Sequence, residues 1–472
     1  MRAPTWLLPG RSRPPLRRWR AGAILRAGTR GRRLERYIRS KLLWSRFFGA
    51  ASYLRSALWI IPFIAIVLVF AIAPTLRTLD ELLDWRISGL GAAGAQSLYE
   101  TTITLTLSFL VFTFGSLLVA IQVAGGQLTP RVIATILLRD NVVRYSVGIF
   151  VFTLLFSVMA LNRVEAKVWD LATILTSALG IACMAMFLFL IDHAARLLRP
   201  VSIVAHVGNE GLAVIEAVYP LPAPDSSSAI RDAPAERGAP LRIVSHAGRS
   251  EIVLAVDVEA LVDAAKLADG VVEFVPQIGD FVAFDEPLFA LHGGAARIDD
   301  RTLRAAVAFG SERTMEQDPM FAFRILVDIA LKALSPAIND PTTAVVAIDQ
   351  IHRLLREVGK RELHREEVAD DEGRTRVVFR TPNWDDFVHL ACTEIRNCGA
   401  GNVQVARRVQ SMLVNLIATL PGYRDMALEQ ERDRLNRALP GLYALADDLA
   451  LARVPDPQGL GGSSSKARVH PG

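Results

Sequence analysis

Six residues in one stretch carry the densest polar chemistry of the chain. Arg324, Asp328 and Lys332 follow one another at intervals of four, and Asn339, Asp340 and Thr342 stand at the turn behind them. On a helix this spacing places the three charges on one face, where cation and carboxylate neutralise each other. Such a face could take a ligand or a second subunit. It reads more simply as an ion-pair ladder with capped helix starts, since ladders and caps of this kind are common and each stabilises only modestly. A second polar set, Thr102, Thr106, Thr113 and Ser116, shares one helix face at spacings of three, four and seven with no ionisable group among its members. Small hydroxylated residues let helices approach closely and return their hydroxyls to their own carbonyls. That packing reading is preferred; a water-lined path is the sharper alternative.

Catalytic and metal chemistry finds little support. His389, Cys392 and Cys398 come nearest to a metal cluster, but no second pair completes four ligands. A phosphate-binding Gly-rich loop, a nucleophile elbow and a His-Glu-x-x-His pattern are all missing from the sequence. No enzymatic activity, cofactor or metal is therefore expected. Asp192-His193 is a pH-responsive candidate because histidine titrates near neutrality, although such a pair is more often simply interfacial. With Cys183, the three cysteines cannot build a disulfide framework, and they suit a reducing compartment.

The elements that position these residues divide sharply. Mean hydropathy is positive, at +0.30, and the apolar excess lies between Ser56 and Ile191. Four charge-free stretches, Ser56–Leu76, Thr101–Gln122, Tyr145–Asn162 and Leu171–Ile191, approach the roughly 20 apolar residues that a bilayer crossing needs. Trp59, Tyr145 and Trp169 fall where an interfacial aromatic belt belongs. No ionisable side chain lies within these stretches, which disfavours a proton relay or a charge-based transport site.

Charge sets the orientation. The first 46 residues carry thirteen Arg and one Lys against Glu35 alone, and the segment between the second and third stretches carries Arg131, Arg139 and Arg144 against Asp140. Both, together with Arg196 and Arg199, fall on one side, so both termini are expected in the cytoplasm. The basic arm explains the net charge of +5. Its place before a membrane segment points to anionic lipid headgroups and not to nucleic acid. It lacks the pattern of a secretory signal.

The expected fold is a four-helix transmembrane domain over residues 47–200, behind a disordered basic arm at 1–46, followed by a soluble α+β region. That region is read as a small β-rich domain at 201–298 with a flexible insert at 221–240, then a helical domain at 299–452 and a disordered tail at 453–472. Short β-branched runs at Leu241–Ser245, Glu251–Asp257, Val271–Val275, Asp280–Phe284 and Leu288–Leu291 predict strands, with a helix at Val258–Leu267. The portion from Val271 to Leu288 resembles half of a barrel-sandwich hybrid, the fold of biotinyl and lipoyl carriers. No lysine sits in a hairpin for modification, so no swinging cofactor is expected. Asp318-Pro319 and Asp340-Pro341 each set an N-cap carboxylate before a proline at the first helical position. Further helices are predicted at Trp384–Asn397, Val403–Leu420 and Arg424–Ala450, the last interrupted near Pro440.

Two motifs carry a family resemblance. One runs from Asp318-Pro319-Met320-Phe321-Ala322-Phe323-Arg324 through Ser335-Pro336-Ala337-Ile338-Asn339-Asp340-Pro341; the other is Gln122-Val123-Ala124-Gly125-Gly126-Gln127-Leu128-Thr129-Pro130-Arg131. Together they resemble the bacterial predicted-membrane-protein family catalogued as domain of unknown function 2254. In the signature turn Gln127, Thr129, Pro130 and Arg131, Thr129 stands where the family has serine. The resemblance implies a membrane location and this order of parts, without an established activity.

Two functional readings follow, both set in the bilayer of a bacterial inner (plasma) membrane. The first is a homo-oligomeric channel or permeation protein with a cytoplasmic regulatory domain. The second is a membrane-anchored sensor or scaffold whose cytoplasmic helices bind a partner.

Overall fold

A computed structural model describes residues 59–83, 89–127, 140–164, 169–197, 199–224, 238–363 and 366–462. The basic arm lies outside the described residues, as do Thr129, Pro130 and Arg131 of the signature turn.

The N-terminal half is built of apolar helices: α1 (Ile60–Leu83), α2 (Ala92–Gln127), α3 (Asn141–Leu161), α4 (Asp170–Leu197) and α5 (Pro200–Val218). All five are long and apolar enough to cross a membrane by length and composition, one more than the four expected. The extra candidate is α5, which occupies the start of the expected β-rich domain at 201–298. Its signals are Pro200 at the first turn and apolar positions Ile203, Val204, Val207, Gly211 and Ile215 at helical spacing.

α3 stands at the centre of the bundle, with α1, α2 and α4 packed against it, and α2 also packs on α4. Asp140 starts α3 by accepting a hydrogen bond from the Val143 amide at 3.0 Å. At mid-bundle Phe109 stacks on Phe187 at 4.3 Å and Phe150 is wholly buried. The end near the α1–α2 and α3–α4 connections is tied by polar contacts. There the Tyr99 and Thr173 hydroxyls lie 2.8 Å apart, and Asp80 accepts from the Leu171 amide.

The mixed helix-and-sheet region that follows has two main cores. Strands β1 (Arg242–Ser245), β2 (Glu251–Val256), β3 (Gly270–Phe274), β4 (Phe281–Val282), β5 (Pro287–Gly293) and β6 (Val307–Gly310) are joined by helices α6 (Val258–Ala268) and α7 (Asp300–Ala305). The helical body contains α8 (Pro319–Ala333), α9 (Pro341–Gly359), α10 (Trp384–Gly399), α11 (Val403–Thr419), α12 (Asp425–Ala438) and α13 (Ala446–Ala452). Between α9 and α10 the chain returns to add β7 (Glu367–Ala369) and β8 (Thr375–Phe379). The sheets run β1-β5-β3-β8-β7 and β4-β2-β6, and together they enclose one apolar core.

The structure departs from the expected division of the chain in several places. The boundary between residues 298 and 299 does not separate the β part from the helical part, because β8 pairs in parallel with β3. For the same reason the strands do not form a free-standing carrier-like half-barrel. The hairpin of β7 and β8 was missed because Asp370, Asp371 and Glu372 make it look like a polar loop. In fact Asp370 caps the turn, accepting from the amides of Glu372 and Arg374, and Gly373 supplies the left-handed φ of 77°. The tail is not disordered from residue 453 to 462. Arg407, wholly buried, donates to the carbonyls of Val454 (3.0 Å) and Gly461 (3.1 Å), and Gly459 and Gly461 take left-handed φ values that wrap the chain around it. Part of the expected flexible insert is also pinned, since Ala223 donates to the Lys360 carbonyl at 2.7 Å.

Candidate functional site

α8 is the central helix of the body, and most of its residues face inward. Phe321, Ala322, Phe323, Ile325, Leu326, Val327, Ile329 and Ala330 are all buried. It starts at Asp318, whose carboxylate accepts from the Phe321 amide at 3.1 Å and from Arg313 at 3.0 Å. Burial raises the pKa of Asp318, and the Arg313 charge opposes that rise. Gly279, with φ of 92°, presses on this same pair; a side chain there would collide with the Arg313 guanidinium and the Asp318 carboxylate. Gln317 meanwhile accepts from the Val256 amide at 3.1 Å. The start of α8 is therefore the joint between the helical body and the sheets.

The polar face of α8 is narrow. Arg324 donates to Asp328 (2.7 Å from Nε) and to Glu394 of α10 (2.6 Å from Nη1). Hydrogen bonding to Glu394, with a further contribution from Asp328, holds the guanidinium more firmly protonated than usual, and the same bond lowers the Glu394 carboxyl. Among the described residues the ladder links Asp328, Arg324 and Glu394, and Lys332 takes no part in it. Asn339 is exposed in a left-handed turn with φ of 49°. Asp340 caps α9 through the Thr343 amide at 3.1 Å, and Thr342 is exposed beside it. The six residues thus form two separate structural devices, a ladder and a capped turn. Glu394 was missed because its pairing with Arg324 spans 70 positions, which no local spacing reveals.

Of the predicted hydroxyl face of α2, Thr102, Thr106 and Thr113 point into the bundle, whereas Ser116 is exposed. Thr102 and Thr106 are buried and donate to the carbonyls of Leu98 and Thr102, and Thr102 packs on Gly180 of α4. Thr113 is buried as well, while Ser116 donates to the Thr113 carbonyl at 3.0 Å. The arrangement is close packing between α2 and α4. The opposite face, with Ser97, Thr101, Thr104 and Ser108, is exposed, and Thr101, Thr104 and Ser108 there are also bonded to backbone carbonyls. The side chain of Gln127, the last residue of α2, lies outside the description. His193 of α4 does have a partner that the sequence did not suggest. Its Nε2 lies 3.0 Å from the second carboxylate oxygen of Asp140, the residue that caps α3.

No group of three or more His, Cys, Asp or Glu side chains among the described residues is placed to hold a metal ion. Cys392 is buried, which pushes its thiol pKa up, whereas Cys398 is exposed.

Apolar helices of spanning length joined to a mixed helix-and-sheet body define the class: a multi-helix membrane protein with a large mixed region behind its apolar helices. Within that class the chain belongs to the predicted membrane protein family DUF2254, whose model matches residues 55–415. It is also similar to uncharacterised proteins of Mycobacterium tuberculosis and Mycobacterium bovis, each 26% identical over 373 residues, covering 74% of this chain and 69% of the relative. No solved structure matches the chain.

Proposed function

We propose that this protein is a membrane-anchored sensor or scaffold in a bacterial plasma membrane, with α1 to α4 crossing the bilayer and α5 belonging to the cytoplasmic body. The observation that carries this reading is a shared core. Ala120 near the end of α2 lies in one apolar cluster with Ile203 and Val204 of α5 and with the buried faces of α8 and α9. A helix bound in this way to charged, amphipathic partners cannot sit in lipid, and its outer face carries Ser202, His206, Asn209 and Glu216. Four crossings return the body to the side of the basic arm, in keeping with the charge of the connections. Movement of α2 within the bilayer is then felt directly by the body.

A channel is the second reading, favoured by the exposed hydroxyl stripe Ser97, Thr101, Thr104 and Ser108. It requires several copies to gather around α2, because the inward Thr102 and Thr106 of a single chain give their hydroxyls to its own carbonyls. Purified full-length protein in planar bilayers separates the two. The sensor reading expects no unitary conductance; a conductance abolished by Thr104→Leu or Ser108→Leu would overturn it.

A further inference from the structure

α1 and α2 are consecutive and both lean on α3, yet they scarcely touch each other. The seam between them is a cleft of about 500 Å³. Phe63 and Ile66 of α1, Leu110 and Phe114 of α2, and Val147 and Val151 of α3 form its walls. Two polar groups are set into this apolar lining at one end: Arg144, one turn into α3, and Thr113 of α2. Both residues are more than nine-tenths buried, at 8% and 4% exposure. The Thr113 hydroxyl has no hydrogen-bond partner among the described residues, unlike those of Thr102, Thr104, Thr106 and Ser108 on the same helix. Trp59, at the start of α1, lines the cleft at the same end, where an interfacial aromatic belongs.

We propose that this cleft binds one anionic phospholipid of the surrounding bilayer, its acyl chain lying in the seam and its phosphate meeting Arg144. A guanidinium matches phosphate oxygens bidentately, and basic pockets between membrane helices hold anionic headgroups. The Thr113 hydroxyl offers a donor to an oxygen of the glycerol-ester region. The volume falls within the roughly 300–1,000 Å³ typical of small-molecule sites. The inference needs α1 to α3 to span the membrane and is independent of whether the body senses, scaffolds or gates.

The test uses the full chain in nanodiscs containing trace phosphatidylglycerol or phosphatidylcholine with a photoactivatable acyl chain, adducts being mapped by mass spectrometry. Phosphatidylglycerol is expected to label the facing positions of α1 and α3 about five-fold more than phosphatidylcholine, the order set by one basic residue at a membrane surface. Arg144→Gln should remove that preference. Ile66→Trp, which fills the seam, should remove seam labelling while leaving adducts elsewhere on the bundle. Equal labelling by the two lipids in the wild-type chain would mean ordinary surrounding lipid and overturns the proposal. If Arg144→Gln does not fold, Ile66→Trp decides: seam labelling that persists overturns the proposal, and its loss supports it.

Discussion

Asp370 and Arg376 meet at 2.7 Å, and Arg376 reaches on to Asp269 at 3.0 Å. The bond from Arg376 holds the Asp370 carboxyl at about 2, below its ordinary value of 3.8. A carboxyl lowered on folding stabilises the native state above its unfolded pKa and loses that contribution as pH falls through the folded one. Asp370→Asn is therefore expected to lower the melting temperature at pH 7, with the difference from wild type shrinking between 3.8 and about 2. Thermal melts across that window check it; a constant difference would contradict the assignment. The Arg324 ladder makes a smaller claim, because Glu394 is half exposed. Losing Glu394 should cost about 1 kcal/mol or less. Arg324→Ala should cost more than Glu394→Gln, since it removes the cation that Asp328 and Glu394 share; chemical denaturation of the two variants ranks them. Of the six polar residues singled out by spacing, the Arg324–Asp328 pairing and the Asp340 cap were legible because both are local. Glu394 and the Asp140–His193 contact were not, since each joins residues far apart in the chain.

At the scale of elements, the amphipathic helices were legible from their period, and two of them from the caps at Asp318 and Asp340. α8, α9, α10 and α11 begin at Asp318, Asp340, Asn383 and Asn402, each a side chain that accepts from the first turn. What escaped were elements whose apolar face is covered by distant chain: α5, the strand β6 that pairs with β2, and the β7–β8 hairpin. Two glycines of α5 test how it docks. A methyl at Gly211 would lie 2.9 Å from the Ala322 Cβ and 3.0 Å from Leu354, inside a packed core, whereas at Gly208 it meets the flexible end of Gln350. Gly211→Ala is expected to cost about 1–3 kcal/mol. Gly208→Ala should be nearly neutral, since Gln350 moves aside. Equal losses in a denaturation experiment would refute this packing of α5 on α8 and α9. Gly279→Ala should be costly for two reasons together, the left-handed φ of 92° and the collision with Arg313 and Asp318. Its signature is hydrogen exchange that quickens on both sides of the joint, in β2 and at the start of α8.

For the whole molecule, the membrane half was legible from charge-free length alone, because a bilayer imposes one requirement on every spanning helix. The count of crossings was not, since α5 meets the same criterion of length and composition while packing on the soluble body. That count decides on which side the body lies. The native cysteines provide the means to read it, with Cys183 and Cys392 buried and Cys398 exposed on the body. A membrane-impermeant maleimide applied to intact spheroplasts is the most direct measurement, with inverted vesicles as the counterpart and Arg163→Cys, between α3 and α4, as the reporter of the other side. Four crossings with α5 in the cytoplasmic body predict that Cys398 is labelled only in inverted vesicles and Arg163→Cys only in spheroplasts. Labelling of Cys398 from outside intact spheroplasts would make α5 a fifth span and contradict the account.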